Sequence, residues 1–390
     1  MPKDPYLSSP NLAVANYQFK KKKESDLSNI MDEYRRREVN IQRLPPVIYL
    51  ESVAGCPFSC AMCKPLATKP QRVSSSLLKK LEPAYANLEV LAIHGQGEPL
   101  LADLEYFVRQ SLANNFVLHM DTNGLLLTDE IADILLKTRL SIRFSIHAGR
   151  PETYYRIMGV DLNKVKQNIR RLVTRSRNAP GNHDFWFSFI VMKENIQEVE
   201  EFLLLSNECG IHNVRFMHLW PNHDTLKGVT IRGLNFKYSE QSGNRIKDEF
   251  KANLPRYKMT ANELGITIEW GDAGKYDHSP IRYWNELANK VSSRVGNRWI
   301  FPLVPQKGFC AAPWLGQLTV KFNGDLLLCC TSSIILGNLY HSSLEAIWYG
   351  PQMTRIRQSF QKGYFPHECG YCRGFGLNNY PNNSFVNYKR

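Results

Sequence analysis

The chain has 390 residues, a net charge of +13 and nine cysteines, a length that can bury one large α/β domain and a smaller one. No apolar run approaches the ~20 residues of a membrane span, and Met1-Pro2-Lys3-Asp4-Pro5 lacks the layout of an export signal, so the thiols point to metal or redox chemistry in a reducing, cytoplasmic compartment rather than to disulfides. The positive charge favours anionic partners: a phosphorylated or carboxylated small molecule, an acidic peptide, an acidic electron donor or nucleic acid.

Residues 1–45 read as a polar extension with basic runs at 20–23 and 35–37. No DNA- or RNA-binding module accompanies these runs. They suit a solvated surface or an arm clamped to the next domain, and nucleic acid is not an expected partner. A helix is expected from about 26 to 39, broken by Leu44-Pro45-Pro46. Beyond it the apolar pattern alternates between strand and helix periods. Strands are expected at 47–53, 90–95, 117–121, 141–147, 186–192 and 214–219, with helices at 74–81, 101–114, 128–138, 162–176 and 196–209. Thr128 suits an N-cap, and Gly210 suits the left-handed residue after a helix. Six strands alternating with helices predict an α/β fold, a parallel sheet curving into an open partial (β/α)6 TIM-like barrel over residues 46–220. Chemistry in such barrels sits at the C-terminal strand ends.

The first strand end leads into Gly55-Cys56-Pro57-Phe58-Ser59-Cys60-Ala61-Met62-Cys63-Lys64. Thiols spaced C-x3-C-x2-C on one loop can converge on one inorganic cluster. Iron–sulfur clusters normally take four thiolates, so three leave one iron open. Zinc is the other reading, although structural zinc prefers four closed ligands. In this spacing the chain resembles the radical S-adenosylmethionine (SAM) superfamily. The resemblance implies that Cys56, Cys60 and Cys63 hold a [4Fe–4S] cluster whose open iron is chelated by SAM. An electron from the cluster would cleave SAM to methionine and a 5′-deoxyadenosyl radical, which takes a hydrogen from the substrate.

Further SAM contacts follow from the same resemblance. The Met62 backbone would approach the adenine. His94-Gly95-Gln96-Gly97-Glu98-Pro99 resembles the family's G-G-E-P element, which places Gln96, Gly97 and Glu98 around the amino group. Ser145, after the fourth strand, would approach the ribose or carboxylate. Asn123, within Asp121-Thr122-Asn123-Gly124, is similar to the family's T-N-G turn and equally suits a plain tight turn. Arg156 lies near the SAM carboxylate or on a helix surface, and Asn195 caps the next helix or faces SAM.

Residues 221–304 are expected to be polar loops rich in aromatics: Tyr238, Tyr257, Trp270, Tyr276, Tyr283, Trp284 and Trp299. They would form either a substrate lid over the barrel mouth or a peripheral insertion with its own core. Beyond them come Cys310, Cys329-Cys330 and Cys369-x2-Cys372. Asn323-Gly324 is a hairpin turn signal, so Cys310 and Cys329 would flank a ribbon, with helices at 344–347 and 352–360. This layout resembles the SPASM and twitch domains. It implies a small α+β domain over 305–375 in which Cys310, Cys329, Cys369 and Cys372 hold an auxiliary [4Fe–4S] cluster, with Cys330 a neighbour. No cysteine follows Cys372, so one auxiliary cluster is expected; a four-thiol zinc site is the alternative. Cys209 reads as a buried apolar residue, and 376–390 as a tail.

The resemblance thus implies a radical SAM oxidoreductase that abstracts hydrogen from a substrate carbon, with the auxiliary cluster handling an electron. A small polar metabolite, sugar-like or anionic, is the expected substrate. Modification of a ribosomal peptide by cross-linking or epimerisation is the alternative, and a non-catalytic zinc or nucleic-acid-binding protein is a reading of another class. A flavodoxin- or ferredoxin-like electron donor is the expected protein partner. His94, His147, His218 and Asp121 lie near strand ends as candidate bases, each equally a satisfied interior group.

Overall fold

The computed structural model describes residues 33, 36–63, 69–181, 183–219, 227–270, 294–295, 298–299, 303–305, 310, 312–330 and 332–366. Cys369, Cys372, Tyr276, Tyr283, Trp284, most of the 1–45 extension and the 376–390 tail lie outside the described residues. The chain divides into two compact units, one comprising Met1–Leu50, Ser74–Leu91 and Gly274–Arg390, the other Glu51–Val73 and Ala92–Ala273.

In chain order the elements are β1 (Val47–Leu50), β2 (Val53–Ala54), β3 (Gln71–Arg72), α1 (Ser75–Tyr85), β4 (Val90–Ile93), α2 (Leu104–Asn114), β5 (Val117–Thr122) and α3 (Asp129–Leu135). There follow β6 (Leu140–Ser145), α4 (Pro151–Met158), α5 (Leu162–Ser176), β7 (His183–Val191), α6 (Val199–Glu208), β8 (Asn213–His218), β9 (Val229–Ile231) and β10 (Leu234–Phe236). The remainder comprises α7 (Tyr238–Gln241), α8 (Asn244–Glu263), β11 (Thr267–Trp270), β12 (Arg294–Val295), β13 (Arg298–Trp299), β14 (Leu303–Pro305) and α9 (Ala312–Leu315). Last come β15 (Gly316–Val320), β16 (Asp325–Leu327), β17 (Ile335–Asn338), α10 (Leu344–Trp348), α11 (Pro351–Gln361) and β18 (Tyr364–Pro366).

In the second unit β5, β6, β7, β8 and β11 lie side by side, each pair parallel. This is the strand–helix repeat of a partial (β/α) barrel, with crossover helices supplied by amphipathic stretches. In α5, for example, Leu162, Val165, Ile169, Leu172 and Val173 are buried at helical spacing. Thr128 accepts the Ile131 amide at 3.3 Å and starts α3, and Gly210, at φ +72°, follows the end of α6.

Strand side chains alternate between faces with a period of two, and here the two faces differ in chemistry. One carries Leu118, Met120, Leu140, Ile142, Phe144, Phe187, Phe189, Val214 and Phe216, all buried. It packs on the helices through Phe202 of α6, whose ring centroid lies 4.6 Å from that of Phe189, and Phe250 of α8, 5.1 Å from Phe216. The other face pairs His119 with Ser141, Asp121 with Arg143, Ser145 with Ser188, and Arg215 with both Ser188 and Glu269 across the strands.

Residues 227–270 differ from the expected polar loops. They fold into the β9–β10 hairpin, two helices and β11, which adds a parallel strand beside β8. Ile246, Phe250, Tyr257 and Ala261 recur on one face of α8 and are buried. Pro255 inside the helix is a residue that normally breaks one, and packing of that apolar face overrides it.

In the first unit β15 runs parallel to β1 and antiparallel to β16, which pairs with β17. The Asn323-Gly324 turn forms as the sequence predicts, with Gly324 at φ +83°. A Cβ there would also stand 2.5 Å from the Tyr340 ring, so glycine is required twice. Arg357, 1% exposed, stacks 4.5 Å over Trp348 and donates to the Pro313 carbonyl at 2.9 Å, anchoring α9 just after Cys310.

Candidate active site

The site of the second unit is built on the cysteine loop. Backbone bonds fix that loop on two sides. Gly55 bridges Gly97, the Glu98 amide donates to the Gly55 carbonyl at 2.9 Å, and the Ala61 amide donates to the Ile157 carbonyl at the end of α4 at 2.8 Å. A Cβ on Gly97 would stand 2.1 Å from the Val53 carbonyl oxygen, so the two backbones approach this closely only with glycine.

Cys56 and Cys60 are partly covered and Cys63 is exposed. The Cys56 sulfur accepts the Phe58 amide at 3.4 Å and the Asn123 side-chain amide at 3.5 Å. Burial pushes the Cys56 thiol up to about 11, with the Glu98 and Cys63 charges adding to the rise. Cys60 is raised well above the ordinary thiol value, first by burial and then by Cys63 and Cys56, with Arg232 opposing the rise. The Cys60 thiol thus feels both of the other two cysteines, and Cys56 feels Cys63. Among the described residues no three His, Cys, Asp or Glu side chains form a single-ion metal site. Three soft sulfur donors on one pinned loop fit a [4Fe–4S] cluster, which spreads its thiolates over separate irons.

The Glu98 carboxylate, expected beside the SAM amino group, is buried. It is 2% exposed and accepts from the Leu100 amide at 3.1 Å, the Thr122 hydroxyl at 2.5 Å and the Asn123 amide at 3.1 Å. Burial pushes it up to about 7, against those three hydrogen bonds. The carboxylate therefore links the cysteine loop to the end of β5. Asn123 passes that link on to Cys56, while its own oxygen accepts the Leu125 amide at 2.9 Å. Gln96 is exposed, the Met62 side chain is buried, and Ser145 ends β6 on the polar face of the sheet, partly exposed.

Two residues with alternative readings have local partners. Arg156, in the last turn of α4, pairs with Glu194. Asn195 neither caps a helix with its side chain nor faces outward. It is fully buried, accepts the Met192 amide at 2.8 Å and donates to the His147 and Ile190 carbonyls at 2.9 and 2.8 Å, tying together the ends of β6 and β7. Helix α4 has no cap from Arg150; the buried Glu198 carboxylate instead accepts the Gly149 and Arg150 amides at 3.0 and 3.1 Å.

Of the candidate bases, His94 and His147 are both pushed down to about 4 by burial, which makes them neutral near pH 7. His147 accepts the Ile190 amide at 3.2 Å. Asp121 is held well below the carboxylate range because Arg143, 2.5 Å away, and His119, at 3.2 Å, outweigh its burial. These roles suit interior anchors. Sequence reading missed Thr122, Tyr154 and Arg232. Tyr154 is fully buried, and its hydroxyl has no hydrogen-bond partner among the described residues. Only the strand-period alternation of His119, Asp121, Arg143 and Arg215 could have disclosed the polar sheet face.

In the first unit Cys310 accepts the Ala312 amide at 3.4 Å. Cys310 and Cys329 are partly covered and Cys330 is exposed.

Residues 50–205 match the radical SAM superfamily, and residues 310–373 match the SPASM iron–sulfur cluster-binding domain. A probable GTP 3′,8-cyclase of Saccharolobus islandicus is 29% identical over 186 residues, 44% of this chain and 56% of that one. A second, from Saccharolobus solfataricus, is 27% identical over the same span. The match thus covers little more than half the length of these curated relatives. Among solved structures, Streptococcus suis SuiB superposes with a TM-score of 0.59 at 16% identity, covering 94% of this chain and 80% of SuiB. Native anSMEcpe with bound AdoMet gives 0.55 at 17%, covering 88% and 96%. These likenesses support the α/β partial TIM barrel fold.

Proposed function

We propose that this chain, a radical SAM enzyme with a C-terminal SPASM iron–sulfur domain, abstracts hydrogen from a small polar, anionic substrate. When bound, the [4Fe–4S] cluster and SAM supply a 5′-deoxyadenosyl radical as the hydrogen acceptor. The chain's own residues do the rest. Cys56, Cys60 and Cys63 hold the cluster, and Gly97, Glu98, Thr122 and Asn123 fix their loop to the end of β5. Gln96 and Ser145 are left partly accessible for SAM, with the Met62 backbone for its adenine. Arg156 reaches a SAM carboxylate only by releasing Glu194. In the SPASM domain Cys310, Cys329, Cys369 and Cys372 hold the auxiliary cluster.

The observation that carries the substrate class is the polar sheet face. Arg143, ion-paired with Asp121, and Arg215, 3.9 Å from Glu269, lie on it with side chains 21% and 17% exposed, and Trp186 lies on the same face beside Arg143, so an anion bound there would share these guanidiniums with the two carboxylates. Two guanidiniums and an aromatic ring suit a planar or ring-bearing anion. The relatives named for cyclising GTP, an anionic small molecule, support this reading. A peptide substrate is the second reading, supported by a structural neighbour solved with its precursor peptide, SuiB with SuiA. The test is 5′-deoxyadenosine release by the anaerobically reconstituted chain with SAM and reductant. Stimulation by a metabolite fraction that falls in Arg215→Gln is expected; stimulation by a peptide fraction alone would establish the second reading.

A further inference from the structure

The β9–β10 hairpin turns at Arg232-Gly233, and Arg232 adopts φ +48°, a left-handed conformation uncommon for a non-glycine residue. Such an outlier persists only where its surroundings hold it, and here they do. One nitrogen, Nη2, donates to the Ser59 carbonyl at 2.8 Å and the Ile157 carbonyl at 3.1 Å. Nη1 donates to the Ser59 hydroxyl at 2.9 Å, and Nε to the Arg156 carbonyl at 3.1 Å. A single guanidinium therefore joins the residue before Cys60 to the last carbonyls of α4, which carry the negative end of the helix dipole.

The neighbouring helix terminus is shaped for this group. Gly159, at φ +84°, closes α4, and a Cβ there would stand 2.9 Å from Arg232 Nη1 and 3.0 Å from the Ser59 hydroxyl. Among the described residues every acceptor of Arg232 is neutral, so its positive charge is not cancelled by a paired carboxylate.

We propose that Arg232 is a positioning residue for the cluster: it locks the Cys60 side of the loop onto α4 and sets a fixed positive charge beside it that raises the cluster's reduction potential. The physical ground is that one-electron reduction adds a negative charge to the cluster, and a nearby cation favours the more negative form. The inference rests on the reading that Cys56, Cys60 and Cys63 hold that cluster. It gives the hairpin of the 227–270 segment a role in the chemistry.

Two measurements on the full chain test it. The first is the midpoint potential of the cluster whose EPR signal changes when SAM is added. The second is hydrogen exchange of the Ala61 amide in the metal-free chain, which needs no cluster. Arg232→Gln is expected to move the potential to more negative values and to speed Ala61 exchange about tenfold. Arg232→Lys keeps the charge but cannot span four acceptors, so its potential stays near that of the wild type while exchange still rises. Ser59→Ala removes one acceptor and no charge; it should raise exchange less, and it serves if Arg232→Gln fails to fold. Wild-type potential in Arg232→Gln, or wild-type Ala61 exchange in the variants, overturns the proposal. A SAM-responsive signal that survives Cys60→Ala would instead overturn the ligand reading on which it rests.

Discussion

At the scale of single residues, the cysteine loop depends on a carboxylate that never meets solvent. Glu98 is raised from 4.5 to about 7 by burial, so the folded chain binds its proton more tightly than the unfolded chain. Its contribution to stability is then complete below about 4.5 and is lost as pH rises through about 7. Unfolding free energies of the metal-free wild type from urea titrations, taken relative to Glu98→Gln, should fall across that window by up to about 3 kcal/mol; a difference independent of pH would count against it. His147 works in the opposite sense. Lowered from 6.5 to about 4 by burial, it favours the fold when neutral, and that stability is lost as pH falls from 6.5 toward 4. His147→Asn keeps an acceptor for the Ile190 amide and should flatten the acid limb of the same titration.

At the scale of elements, what the sequence disclosed was whatever had a short period or a fixed spacing. Helix α5 spans the predicted residues, the hairpin at Asn323-Gly324 forms, and the three-thiol loop is placed against the Gly97-Glu98 turn. Contacts between distant residues were hidden. Nothing local tells that Glu98 faces Thr122, that Asn195 binds the His147 carbonyl, or that Arg232 reaches Ser59, because each depends on the tertiary arrangement. Helix α8 was missed for a different reason: Gly243 and Pro255 are breakers by local rule, and only burial of Phe250 against Phe216 outweighs them. Phe250→Ala should therefore cost about 3–5 kcal/mol, read as a lower urea midpoint. A loss below about 1 kcal/mol would mean that α8 and β11 are peripheral to the fold.

At the scale of the whole molecule, two iron–sulfur domains on one chain predict two separable losses. Cys60→Ala should lose about four irons and all 5′-deoxyadenosine formation. Cys310→Ala should lose a similar amount of iron yet retain some SAM cleavage uncoupled from substrate. Iron analysis and product assays on the two variants check this, and equal loss of cleavage in both would make the C-terminal centre structural. The net charge of +13 suits acidic partners in general.

The alternation along β6, β7 and β8 also bears on how such a chain changes over generations. Ile142, Phe144, Phe187 and Phe216 occupy one parity, while Ser141, Arg143, Trp186 and Arg215 occupy the other. Point replacements at the second set change the polar face while leaving the aromatic packing intact. A one-residue insertion early in β6 would reverse the faces of the β6 residues beyond it, putting the Arg143 guanidinium among phenylalanines. Descendants of this chain should therefore diversify by substitution within the strands and vary in length only in the connections between them.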